Sequence, residues 1–287
     1  QPASQSGSLL AQCFAYGFLS AADARPQPGP ARRAVGGSAA ARERAQAGAH
    51  VLINHMPGQE TLADAVATQC KNESLCRSGD ITKDDDCVRI VQAAIDQWDR
   101  VDILINNAGI NKFVEHYDLE GLSSTDFLNI YNVNVIGAFQ MTRAVSSIMK
   151  RQGAGVVVNV SSGAGECGLG SSIAYCASKG ALNTMTKSMG RALAPAIRVN
   201  AVCPAFIPTP LWDKKIGNIP TEEWEALRKT WALSTPLQLE GSPEIISRTI
   251  LFLASDLSAH LTGQLITSDG GDQLGVYQPM FETNGPL

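Results

Sequence analysis

No apolar run in this chain of 287 residues approaches the ~18 residues that a membrane-spanning helix needs, so no membrane partner is expected. Positive charge is not in excess either. Lys and Arg number 23 against 27 Asp and Glu, and the net charge of −4 offers no basic field to nucleic acid. The seven cysteines, at positions 13, 70, 76, 87, 167, 176 and 203, lack metal-ligand spacing, so no metal site is expected. Being odd in number, they read as reduced, mostly buried thiols of a cytoplasmic protein. No internal repeat is present, which argues against a solenoid or propeller.

What is there suits one α/β domain. A hydrophobic share of 44% is enough for a sizeable core, and strand-like runs alternate with helical patterns along most of the chain. Residues 1–35 are the exception: Pro26, Pro28 and Pro30 break any strand there. They read as an irregular or disordered segment ahead of a domain at 36–287. Arginines outnumber acids through 1–47, a bias that organelle transit peptides share, although the segment runs straight into domain sequence.

The most informative stretch is 155–179. The run Gly155-Val-Val-Val-Asn-Val-Ser161 is short, β-branched and followed by glycines, as a buried parallel strand should be. A helical pattern then runs from 173 to 193. On that helix Tyr175 and Lys179 stand four apart and share a face. An ammonium beside a phenol favours the phenolate, which brings proton exchange towards neutral pH. Ser162, at the strand end, can hydrogen-bond the oxygen with which Tyr175 exchanges its proton. By itself the pair could equally be an exposed tyrosine beside a solvated lysine.

Ser162, the glycine-rich loop after it, Tyr175 and Lys179 together resemble the centre of the short-chain dehydrogenase/reductase family. The resemblance covers 39–274. Asn106-Asn107-Ala108-Gly109, after a fourth strand, is similar to the family's Asn-Asn-Ala-Gly turn, and Asp269-Gly270-Gly271 to the end of its last strand. It implies a single doubly wound Rossmann-type α/β domain with a seven-stranded parallel sheet and helices on both faces. It also implies reversible hydride transfer between a nicotinamide cofactor and a carbonyl or secondary alcohol. Ser162, Tyr175, Lys179 and Asn134 would be catalytic. Asn134 would support a water relay to Lys179, with a plain core hydrogen bond as the alternative.

For the cofactor, the resemblance implies Asn107, Ala108 and Gly109 under the adenosine side, and Asp80 with Ile81 at the adenine. Asp80 reads equally as a helix N-cap. Tyr175 and Lys179 would face the nicotinamide ribose, and Pro204, Ile207 and Thr209 the nicotinamide. Asn54 and His55, after the second strand, supply no carboxylate to bond the ribose hydroxyls, which favours NADP over NAD. His55 also reads as an ordinary solvated turn residue.

The phosphate-binding loop departs from the family pattern. Gly36 and Gly37 are present, but no register from 30 to 38 yields the full glycine set, so weakened dinucleotide binding is expected. This leaves a second reading, a non-redox binding scaffold. Trp212, Trp224 and Trp231 within about 208–236 read as a mobile substrate lid or as a packed helical insert. The helical patterns at 122–150 and 173–193 are apolar on more than one face. In the family resembled the second face packs on a two-fold-related copy, so the resemblance implies a homo-oligomer, tetramer or dimer. The small-molecule carbonyl or alcohol itself is not specified by any motif.

Overall fold

The computed structural model describes residues 18–19, 33–35, 49–70, 73–208 and 220–275. Expectations placed on Gly36, Gly37, Thr209 and Trp212 lie outside the described residues.

The strands are β1 (Phe18–Leu19), β2 (Arg33–Val35), β3 (His50–His55), β4 (Ser74–Ser78), β5 (Ile103–Asn106), β6 (Gly155–Val160), β7 (Ile197–Pro204) and β8 (Leu265–Ser268). They form one sheet in the order β4-β3-β2-β5-β6-β7-β8, with every neighbour in that path parallel. β1 pairs antiparallel with β2. The chain winds outward from β2 in two directions, so a crevice opens where the order reverses, at the carboxyl ends of the central strands. The sheet has eight strands rather than the expected seven. Both β1 and β2 fall in the segment read as irregular, because runs of two or three residues carry no readable period.

The described helices are α1 (Glu60–Ala67), α2 (Asp84–Trp98), α3 (Ser124–Tyr131), α4 (Ala138–Gln152), α5 (Ala164–Cys167), α6 (Ile173–Leu193), α7 (Thr221–Leu233) and α8 (Pro243–Ala254). Side chains alternate across a strand, and that alternation sorts them into two cores. Leu52, Leu104 and Val157 pack on one face with Ile90 and Val91 of α2 and with Met141, Val145 and Met149 of α4. Val51, Ile53, Ile103, Ile105, Val156 and Val158 pack on the other with Ala63, Ile246, Ile250 and Leu253. Each fully buried Val, Ile or Leu contributes roughly 1.5–3 kcal/mol, so both helical layers are held firmly.

The single helix expected over 122–150 is interrupted. A π-helical turn at Asn132–Gly137 separates α3 from α4 and swings Asn134 into the interior. Such turns widen the backbone and recur at functional sites. Gly137, at the end of the turn, lets the Ile81 side chain pack close, because a Cβ there would collide with it.

The outer faces differ from expectation in one respect. Phe127, Leu128, Tyr131, Ile136 and Phe139 form an exposed apolar stripe along α3, the π turn and α4. The outward residues of α6 are instead Ala177, Thr184, Lys187, Ser188 and Arg191, small or polar. Its other apolar residues are spent on the sheet, on α5 and, through Ala174, on Ile130 of α3.

Candidate active site

Ser162 sits just past β6 between two tethered neighbours. Ser161 N donates to Val202 O at 2.8 Å and Gly163 N to Pro204 O at 2.9 Å, so β7 steers the chain beyond the strand end. The chain then turns through α5. An added Cβ at Gly165 would lie 2.5 Å from the Lys179 carbonyl carbon, so only glycine lets α5 approach the α6 backbone this closely. Ser172 caps α6 by accepting from Tyr175 N at 3.3 Å, which sets where the helix begins and so where Tyr175 and Lys179 point.

Ser162, Tyr175 and Lys179 line one cleft of about 1290 Å3, together with Asn107, Gly109, Pro204 and Ile207. That volume exceeds the roughly 300–1,000 Å3 of ordinary ligand pockets, so it has room for a dinucleotide end and a substrate. The Ser162 hydroxyl lies on the Tyr175 side of the cleft and favours the ionised form of that phenol, while Ser162 Oγ accepts from Ala164 N at 3.2 Å. Lys179 is buried, with Nζ donating to Val160 O at 2.9 Å and lying 5.7 Å from the centre of the Tyr175 ring.

The electrostatics correct one expectation. Burial pushes the Tyr175 phenol up to about 12, and the neighbouring Ser162 hydroxyl only partly offsets this. Burial likewise brings Lys179 down to about 8. The ammonium lies over the ring and is engaged by Val160 O, so it does not draw the phenol down towards neutral pH. Around pH 7 Tyr175 is therefore a protonated phenol.

Asn134 is fully buried and fully bonded. Its Oδ1 accepts from Ile110 N at 2.8 Å, while Nδ2 donates to Ile110 O at 3.0 Å and to Ser178 Oγ at 2.9 Å. The side chain thus ties the segment after β5 to α6.

The remaining residues lie elsewhere. Asn54 is buried with Nδ2 donating to the carbonyls of His55, Arg77 and Gly79, so it knits the ends of β3 and β4 together. His55 is 3% exposed with Nδ1 against Met56 O at 3.0 Å, a buried strand end rather than a solvated turn. Asp80 accepts from Thr82 N at 3.0 Å and Thr82 Oγ1 at 2.7 Å. The N-cap of α2 is Lys83, so Asp80 closes the turn before the helix instead of capping it. Ile81 is buried, and its carbonyl accepts from Gln140 Nε2 at 2.7 Å. Ala108 is buried in the core.

Several contributors carried no motif. Ser178 bridges Asn134 and the Tyr175 carbonyl, to which its Oγ donates at 2.7 Å. Behind the cleft Asn106 Nδ2 reaches Asn159 Oδ1 at 2.9 Å, and Asn159 Nδ2 reaches Thr186 Oγ1 at 2.8 Å. The signal was available: an asparagine inside Val-Val-Val-Asn-Val is costly unless bonded. Above the cleft, Phe206 packs against Trp231 at 4.0 Å and Trp224 at 5.9 Å between ring centres. These contacts seat α7, which buries no residue fully.

Residues 31–272 match the family model described as enoyl-(acyl carrier protein) reductase. The chain belongs to the short-chain dehydrogenase/reductase family. It is 39% identical over 192 residues to a 3-oxoacyl-(acyl-carrier-protein) reductase of Thermotoga maritima, spanning 67% of this chain and 74% of that one. A 3-oxoacyl-(acyl-carrier-protein) reductase of Synechocystis sp. is 32% identical over 240 residues, 82% of this chain and 91% of its own length. Among solved structures, an NAD+-bound xylitol dehydrogenase superposes with a TM-score of 0.72 at 26% identity, over 82% of this chain and 93% of that one. Family membership makes this an oxidoreductase fold with a nicotinamide dinucleotide as the implied cofactor.

The residues fit that cofactor at its nicotinamide end. Lys179 is an ammonium with three donors and, among the described residues, the acceptor Val160 O, at the floor of an open cleft. Its remaining donors suit ribose hydroxyls. At the end of β3 Asn54 and His55 are engaged with backbone carbonyls, so neither a carboxylate nor a guanidinium reads the adenosine ribose from there. Among the described residues no helix is long and apolar enough to cross a membrane.

Proposed function

We propose that this chain is an NAD(P)(H)-dependent oxidoreductase that interconverts a small-molecule carbonyl and its alcohol, using Ser162, Tyr175, Lys179 and Asn134. The observation that carries the reading is that Ser162, Tyr175 and the buried Lys179 ammonium, its Nζ 5.7 Å from the Tyr175 ring centre, line one open cleft. When bound, the reduced cofactor supplies the hydride. In reduction the Ser162 hydroxyl donates to the carbonyl oxygen and polarises it. Tyr175 gives its phenolic proton to that oxygen as the alcohol forms, leaving a phenolate. Lys179 then stabilises the phenolate and orients the ribose, so its positive charge counts most after proton transfer. Asn134 holds the segment 107–110 against α6, so that the cleft walls keep their spacing. Family membership and the intact Ser/Tyr/Lys set weigh against the non-redox scaffold.

The cofactor is NADP(H), with NAD(H) also possible, because no carboxylate stands at the end of β3 to repel a 2′-phosphate. Fluorescence titration with NADPH and NADH tests this directly: NADPH should bind at least as tightly, and an NADH preference of about tenfold, near 1.4 kcal/mol, would refute it. Replacing His55 by aspartate is a poor test, since it would bury a carboxylate.

The exposed stripe of Phe127, Leu128, Tyr131, Ile136 and Phe139 supports a homo-oligomer, dimer or tetramer, closed around a two-fold axis. Light scattering at micromolar concentration should return a multiple of 30.4 kDa, and a monodisperse monomer would contradict it. The described cysteines are all free, in keeping with the cytoplasm.

A further inference from the structure

The wall of the cleft contributed by residues 107–114 belongs to no strand, yet it alternates like one. Asn107, Gly109, Asn111 and Phe113 line the cleft. Ala108 and Ile110, between them, are buried on the opposite side, Ile110 against Ile130 and Ala174. In a sheet, neighbouring strands would enforce such an alternation; here no ladder does. The segment is pinned instead at every second residue. Ile110 is held through both its backbone groups by Asn134. Val114 N donates to Ser171 O at 3.0 Å, in the loop just before α6.

Between these two pins stands Lys112, whose Nζ donates to Gly121 O at 2.8 Å and to Asp126 Oδ2 at 2.8 Å. Asp126 is no loose surface acid. Its Oδ2 also accepts from Ser123 N at 2.8 Å and Ser123 Oγ at 2.6 Å, and Ser123 Oγ accepts from Asp126 N, the capping box that opens α3. The anchor is therefore rigid, and it stands at the head of the helix that runs on into the π turn bearing Asn134. Lys112 and Ser123 together hold the Asp126 carboxyl at about 2, so it stays charged across the working range.

We propose that Lys112 is a positioning residue: its bond to Asp126 fixes the register of 110–114 and thereby presents Asn111 and Phe113 to the substrate. A slip of one residue in an extended segment exchanges its two faces, so losing the middle pin would let the Phe113 ring leave the cleft. The two residues contact whatever the carbonyl substrate carries beyond its reacting carbon. The substrate part of this inference rests on the proposed oxidoreductase reading; the register part does not.

The test therefore has two arms, on the full chain. In the first, hydrogen exchange is measured on the peptide covering 110–117. Lys112→Met should accelerate its exchange about tenfold with α6 unchanged, and Lys112→Arg should stay near wild type. Unchanged exchange at 110–117 in Lys112→Met would overturn the proposal. In the second, cyclohexanone and the bulkier 1-decalone serve as probes with NADPH. Lys112→Met should raise KM for 1-decalone about fivefold or more, with kcat and the cyclohexanone KM changed less than about twofold, and arginine should restore it. Equal effects on both ketones, or none, would overturn the assignment of Asn111 and Phe113 to the substrate. Should wild type reduce neither probe, the assignment of Asn111 and Phe113 to a ketone substrate of this size fails while the exchange arm still decides the register. Should Lys112→Met not fold, Asp126→Asn removes the charge but keeps an acceptor for the cap, and carries the same expectations.

Discussion

Replacing Tyr175 by phenylalanine is expected to remove more than about 99% of turnover, since a general acid supplies roughly 10²–10⁴-fold. The hydroxyl is the only proposed proton source that faces the cleft. Ser162 cannot take over, because an alcohol is a far weaker acid than a phenol. Lys179 carries exchangeable protons, but its Nζ is bonded to Val160 O and lies over the ring rather than where the carbonyl oxygen would be protonated. The substitution deletes one oxygen and leaves the ring, the α6 N-cap and the Lys179 site in place, so NADPH binding should change by less than about threefold, under about 0.7 kcal/mol. Steady-state kinetics and cofactor titration on the same preparations check both halves. A variant with near-normal kcat on any ketone that the wild type reduces would remove Tyr175 from the mechanism.

The second large effect is on stability, and its sign is opposite to that of most substitutions. Lys179→Met should make the cofactor-free protein more stable at pH 7. Burial lowers the lysine from 10.5 to about 8, so between those values the unfolded chain binds more protons than the folded one. Stability contributed by this site therefore rises with pH across about 8 to 10.5, and at pH 7 the whole cost of burying the ammonium is present. A shift of this size corresponds to on the order of 3 kcal/mol, against which methionine forfeits a hydrogen bond worth about 1 kcal/mol. The net gain at pH 7 is on the order of 2 kcal/mol, and it should shrink as the pH approaches 9.5. Tyr175 acts in the other direction, since its raised value takes stability away only as the pH climbs from about 10 to about 12. Urea unfolding of both proteins at pH 7 and pH 9.5 separates the two contributions. Equal stability at pH 7 would mean that the ammonium is not desolvated in its pocket. The lysine is then a residue held against the interest of the fold, as expected of a group kept for its chemistry.

What could be read from the sequence divides along a physical line. Tyr175 and Lys179 sit four apart on one helix, and Ser162 follows a β-branched run, so helical and strand periodicity bring them towards one another. Leu52, Leu104 and Val157, alternating with Val51, Ile103 and Val156, likewise announce strands covered on both sides. Quantities that depend on enclosure were not readable. The direction of the Tyr175 shift follows from burial by distant segments, and His55 is buried by the way β3 ends, not by its neighbours in sequence. The π turn escaped because Asn-Val-Asn-Val-Ile-Gly fits an α-helix equally well; the close approach of Ile81 to Gly137 accompanies the wider turn. The outer face of α6 is not legible from its apolar periodicity because those residues serve several buried contacts at once: the sheet, α5 and, through Ala174, α3. Asn54 lies at the expected strand end, yet its amide is spent on three backbone carbonyls, a use that only the β3–β4 register reveals.

The most direct test of the account follows the hydride itself. Protein is incubated with a panel of ketones and NADPH carrying deuterium on the transferring face of its nicotinamide, and the products are analysed by mass spectrometry. The account predicts an alcohol with one deuterium on the carbinol carbon, formed mole for mole with oxidised cofactor and absent with Tyr175→Phe. Saturating NADPH binding with no deuterated alcohol from any ketone in the panel would contradict it.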